Sequence, residues 1–296
     1  MKMKGAISME YEGLICRPPM ERLSFMLPVA VGCSYNRCKF CVFFKHLRHR
    51  YLPLELIEAE LRRVRDLGGN PGQVFLGDGN AFGMETPRLL SILERVLHYF
   101  PGCRTVNMDA AVASVRGKTD EELRQLKASG VGRLYLGIEC GLDDVLDFMR
   151  KGHTTSEAHR EIQRIREAGL SFNAHIMTGV AGAGRGLENA EKLAAFLNRA
   201  QPERVVNFSL FLHRSAPLYE DVLSGRFTAA NEVECLMEAH RLLELLEVDS
   251  LYFDGFHDCL EFRVRGRLPQ DREKMLRKLE DAIAFHRERE PAVAYA

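Results

Sequence analysis

The stretch LSFMLPVAVGCSYNRCKFC, residues 23–41, joins an apolar run of strand type to a loop that carries Cys33, Cys38 and Cys41 within nine residues. Residues 23–31 are apolar enough for one buried strand, and Gly32 follows where the chain must turn. Further strand-type runs lie at 73–76, 105–111, 133–138, 171–180 and 204–212. Between them are helical patterns at 53–67, 86–99, 119–128, 143–150 with 156–168, and 187–199. Thr119 stands three residues before Glu122, the spacing of a capping box, and Gly130 and Gly169 follow helical runs where a left-handed residue is wanted.

Strands alternating with helices predict an α/β fold. Its parallel strands are joined by right-handed crossovers, and their carboxyl ends gather on one face. Six such units predict a partial (β/α)6 TIM-like barrel, while spacing alone leaves an open doubly wound sheet available. After Pro217 the pattern changes: helical segments at 231–246 and 270–287 flank an irregular stretch at 252–267. The expected organisation is a core of residues 1–217 and a mainly helical C-terminal extension, 218–296, packed on it.

The chain has 296 residues, 46% of them hydrophobic, which is enough to bury a substantial core. Forty-one basic residues balance forty-one acidic ones, so no global field points to nucleic acid or an anionic membrane as partner. Apolar runs stop well short of the roughly 20 residues of a membrane helix, and residues 1–12 lack the apolar region of a signal peptide. The expectation is a cytoplasmic protein whose eight cysteines meet a reducing compartment. Cys16, Cys103, Cys140, Cys235 and Cys259 are scattered singly, whereas the other three are clustered.

Thiolates suit zinc or an iron-sulfur cluster. A cubane cluster needs one protein ligand per iron, so three cysteines would leave one iron open, and an open metal position serves chemistry. The alternative is a structural zinc ion whose fourth ligand is His46 or His49.

At these residues the sequence resembles the radical S-adenosylmethionine (radical SAM) superfamily, whose cluster loop follows the first barrel strand. Cys33, Cys38 and Cys41 match a subgroup with four residues between the first two cysteines. The resemblance implies a 4Fe-4S cluster on these three cysteines, with S-adenosylmethionine chelating the remaining iron. It places Phe40 near the adenine. Gly77-Asp78-Gly79-Asn80 resembles the second-strand segment that receives the methionyl amino group, and Leu136-Gly137-Ile138-Glu139-Cys140-Gly141 the fourth-strand segment, where Glu139 would bind the cofactor. Lys151 stands where relatives place a base near the cofactor carboxylate. His175 to Gly182 is similar to the fifth strand under the adenine, and Met177, Phe208 and Phe211 are taken as core residues.

The similarity is to stand-alone members with a C-terminal pattern like Leu268-Pro269-Gln270-Asp271-Arg272-Glu273-Lys274, and more distantly to oxygen-independent coproporphyrinogen oxidases. It implies an oxygen-sensitive enzyme, supplied with electrons by flavodoxin or ferredoxin, that abstracts hydrogen from an unidentified substrate. A cofactor-binding carrier is the alternative. Two departures stand out. The usual Glu-Ser-Gly is Glu139-Cys140-Gly141, and the segment Phe253-Asp254-Gly255-Phe256-His257-Asp258-Cys259 replaces a polar one. They make Cys140, His257 and Cys259 candidates for hydrogen donor, general acid or auxiliary ligand, against the plainer reading of buried or surface groups.

Overall fold

The structure, a computed structural model, describes residues 9, 11–13, 16–257, 260–289 and 293. Cys259 therefore lies outside the described residues. The chain divides into two compact units: one holds the residues up to 36 with 43–135 and 164–170, the other 37–42, 136–163 and the residues from 171 onward.

The first unit begins with β1 (Phe25–Pro28), β2 (Ala30–Val31) and β3 (Arg50–Tyr51), then α1 (Leu54–Asp66), β4 (Gln73–Gly77), α2 (Thr86–Tyr99), β5 (Thr105–Ala110), α3 (Val112–Arg116) and α4 (Asp120–Ala128). β4 pairs in parallel with β1 and with β5. Helix α2 buries Leu89, Ile92, Leu93 and Val96, at helical spacing; each aliphatic side chain removed from water contributes about 1.5–3 kcal/mol. The expected capping box at Thr119 and Glu122 opens α4.

The strand expected over residues 23–31 is broken at Val29. Its N–H donates to the Gly77 carbonyl at 2.5 Å, after which β2 leaves β4 and pairs antiparallel with β3. Leu23 is exposed.

β6 (Val131–Glu139) begins in the first unit and ends in the second. There follow α5 (Asp143–Phe148), α6 (Thr155–Glu167), β7 (Ser171–Thr178), α7 (Gly186–Ala200), β8 (Arg204–Ser209), α8 (Pro217–Leu223), α9 (Glu232–Leu245), β9 (Tyr252–His257), β10 (Phe262–Arg267) and α10 (Arg272–Arg287). The strand–helix alternation expected of a partial barrel runs through both units.

Within the stretch expected to be irregular, residues 252–257 and 262–267 form strands. β9 adds in parallel to β8, and β10 returns antiparallel along β9. Gly255 and Asp254 conceal this in the sequence, because both residue types are depleted in strands; pairing with β8 supplies the ladder that local propensity does not. The second unit thus holds the extension, 218–296, together with β7 and β8.

Candidate active site

In the first unit, the loop after β4 is fitted against the start of the cysteine loop. A Cβ on Gly79 would stand 2.7 Å from Cys33 Cβ and 2.7 Å from the Phe44 ring, so only glycine permits the approach. Asn80 is buried and ties three segments together. Its Nδ2 donates to Ser34 Oγ and Ser114 Oγ, each at 2.8 Å, and its Oδ1 accepts from the Ala111 N–H at 2.8 Å. Asp78 accepts from the Tyr11 hydroxyl at 2.7 Å and the Gly79 N–H at 2.9 Å, and burial holds its pKa above the usual carboxylate range. The side chains of Asp78 and Asn80 thus brace the loop. Ser34, Tyr35, Asn80, Ser114 and Lys118 border a cavity of about 540 Å³ in this unit.

In the second unit, residues 37–42 are held by main-chain bonds on both sides: the Lys39 N–H donates to the Met149 carbonyl at 3.1 Å, and the Lys39 carbonyl accepts from the Leu218 N–H at 3.0 Å. Lys39 Nζ lies 3.0 Å from Asp221 and 3.8 Å from the centroid of the Phe148 ring. These contacts fix Phe40 between Cys38 and Cys41.

β6 ends in a buried ion pair. Lys151 Nζ donates to Glu139 Oε1 at 2.9 Å, with both side chains almost fully buried, and lies 5.7 Å from the centroid of Phe40. Glu139 has φ +65, a left-handed conformation rare for a residue with a Cβ and concentrated at functional sites. Gly137 makes the pair possible, since a Cβ there would stand 2.7 Å from Glu139 Oε1 and 3.0 Å from Lys151 Nζ. Phe40, Glu139 and Lys151, assigned to one cofactor by resemblance, do meet. Burial pushes His175, on β7, down to about 4, and the Lys151 charge adds to the shift, so the imidazole is neutral at physiological pH.

Cys140 turns away from this pair. Its Sγ donates to Asn189 Oδ1 at 3.0 Å, and burial pushes the thiol up to about 12, so it is no thiolate at neutral pH. Asn189 Oδ1 also accepts from the Gly141 N–H at 2.8 Å, and its Nδ2 donates to Glu238 Oε1 at 2.6 Å; Glu238 Oε2 accepts from the Gly179 N–H at 2.8 Å. A carboxylate from α9 thereby clamps the ends of β6 and β7. Asn189 and Glu238 were missed in the sequence, because nothing local distinguishes them from other polar residues on amphipathic helices.

Burial raises the Glu238 pKa to about 7 from its usual 4.5. Because the folded value lies above the unfolded one, the group's stabilisation is full below about pH 4.5 and is lost as pH rises to about 7, by about 3 kcal/mol in all. Urea midpoints measured from pH 5 to 8 should fall relative to those of Glu238→Gln, which lacks the titration; parallel profiles would contradict this.

His257 is fully buried, with Nδ1 3.6 Å from Glu232 Oε2, beyond hydrogen-bond reach. Strand alternation sends it to the face of β9 opposite Phe256. The structure does not bring it to the Glu139–Lys151 pair.

Three thiolates are a donor set whose chemistry suits an iron-sulfur cluster. Among the described residues no three His, Cys, Asp or Glu side chains are grouped as ligands of a single metal ion. His46 is exposed, and the His49 ring stands edge-on to Tyr51 at 4.9 Å. No helix among the described residues is long and apolar enough to cross a membrane.

Residues 27–197 match the radical SAM superfamily. The chain is 26% identical over 196 residues, 65% of its own length, to a probable threonylcarbamoyladenosine tRNA methylthiotransferase of Methanothermobacter thermautotrophicus, of which it covers 46%. It is 22% identical to the heme chaperone HemW of Bacillus subtilis, over 64% of this chain and 51% of that one. Among solved structures, coproporphyrinogen III oxidase (HemN) from Escherichia coli superimposes with a TM-score of 0.58 at 14% identity, covering 75% of this chain and 52% of that one. The chain spans about half the length of these curated relatives.

The fold is the α/β fold of radical SAM enzymes, and the chain belongs to the radical SAM superfamily. Enzymes of this superfamily use a 4Fe-4S cluster and S-adenosylmethionine.

Proposed function

We propose that this chain is a radical SAM enzyme in which Cys33, Cys38 and Cys41 hold the 4Fe-4S cluster and Phe40, Glu139 and Lys151 receive S-adenosylmethionine. The observation that carries the proposal is the buried Glu139–Lys151 pair against Phe40. A buried ion pair is weak support for stability alone, and its desolvation cost is offset where a zwitterionic ligand uses it. Held by these residues and given one electron by an external reductant, the cluster and S-adenosylmethionine would supply hydrogen-abstraction chemistry. Lys151 suits the cofactor's carboxylate and Glu139 its hydroxyl or ammonium groups. The backbone of Gly77 and Gly79 offers close approach to the methionyl end. The protein orients one carbon–hydrogen bond and excludes water and oxygen. The electron donor is a flavodoxin or ferredoxin, and the setting a reducing cytoplasm.

The test is to reconstitute the protein without oxygen, reduce it with dithionite, and measure 5′-deoxyadenosine. Release of about one equivalent or more supports an enzyme. Tight S-adenosylmethionine binding without 5′-deoxyadenosine would assign the chain instead to the carriers, the reading that similarity to a heme chaperone keeps in view.

A further inference from the structure

Met177, Phe208, Phe256 and Arg263 are register partners across β7, β8, β9 and β10, so they project from one face of the sheet at one level. All four are partly exposed. The opposite face is covered: Phe253 and Val264 are fully buried, and a Cβ on Gly266 would stand 3.0 Å from Met275 Sδ of α10. The exposed row is ordered. Phe208 and Phe256 stack at 5.6 Å with 17° between their planes, and His175 meets the Phe208 ring edge-on at 5.9 Å. The Arg263 guanidinium lies 4.4 Å over Phe256. It is held there by Asp254, which accepts from Nε at 2.8 Å and Nη2 at 2.7 Å. This fork leaves Nη1 for another acceptor, and the side chain remains 39% exposed.

The row therefore starts at His175, within range of the Lys151 charge, and leads along two stacked rings to an oriented guanidinium. Resting on the radical SAM reading above, we infer that this face is the substrate-binding surface, and that its substrate is a planar, conjugated molecule bearing a carboxylate. The two rings cover one another's faces and leave their edges for a ligand, so a flat π-face lies across them edge-to-face with little reorganisation. The guanidinium, planar and pre-set by Asp254, offers N–H groups in the plane that a carboxylate needs. Phe256, Asp254 and Arg263 all belong to the C-terminal extension, so specificity would reside outside the strands matched by the superfamily.

The probe is fluorescent pyrene-1-carboxylate, titrated into anaerobic holoprotein, with uncharged pyrene-1-methanol as comparator. Removing Arg263 alone would strand the buried Asp254 carboxylate, so the variant is the pair D254N/R263Q. Carboxylate affinity should fall by about tenfold in D254N/R263Q and by about three- to tenfold in F256L, while pyrene-1-methanol binds more weakly and is indifferent to the first change. Iron content and S-adenosylmethionine affinity, followed by equilibrium dialysis, report the folded cofactor site in each variant. Equal carboxylate affinity in wild type and both variants overturns the inference. So does loss of S-adenosylmethionine binding in step with the probe, which would make the row a cofactor subsite. Wild-type protein without iron or S-adenosylmethionine binding would sink the underlying reading instead, and the probe titration would still decide the surface.

Discussion

Protein prepared without oxygen should carry about four irons per chain, and Cys33→Ala, Cys38→Ala or Cys41→Ala should strip them and abolish 5′-deoxyadenosine formation. The effect should be all-or-none, because each thiolate would hold a different iron and losing one would open a second position on the cube to solvent. Cys235→Ala serves as the control. That sulfur is buried beside Gly179, where it fills space between α9 and the end of β7, so the variant loses some packing but keeps its iron. Iron and acid-labile sulfide assays, with the visible spectrum, decide the matter. Undiminished iron in all three loop variants would remove the basis for the cluster assignment.

The second large effect concerns the pair at the end of β6. Glu139→Gln or Lys151→Met leaves the partner's charge buried without its counterion, at a cost of about 3–5 kcal/mol, seen as a lower thermal midpoint. Each should also weaken S-adenosylmethionine binding by about a hundredfold or more, the scale of a lost charge-assisted contact in a desolvated site. The double variant E139Q/K151M separates the two roles. It removes both charges, so most of the stability returns, whereas cofactor affinity stays low. Recovery of both together would show that the pair is only a structural link between β6 and the segment after α5.

Much of this was legible in local patterns. β4, β5, β7 and β8 begin at or beside the positions that their apolar runs indicate, and α2 spans the helix expected, because periodicity follows from which face each element buries. The Gly77–Asn80 turn was legible because its close approach to Cys33 and Phe44 requires glycine at 79. The break at Val29 was not, since it depends on a carbonyl offered by β4. Strands β9 and β10 were missed for the same kind of reason: Asp254 and Gly255 are poor strand formers made acceptable by β8 and by the Arg263 ion pair.

From the amino-acid order alone came the superfamily and the alternation of strands and helices, both of which depend on spacing along the chain. Only the folded arrangement decided that Cys140 hydrogen-bonds inward to Asn189, that Glu238 reaches from α9 to clamp two strand ends, and that Phe208, Phe256 and Arg263 share one exposed face. Those relations are set by strand register and by burial, which bring together residues dozens of positions apart and give them partners that no neighbouring residue encodes.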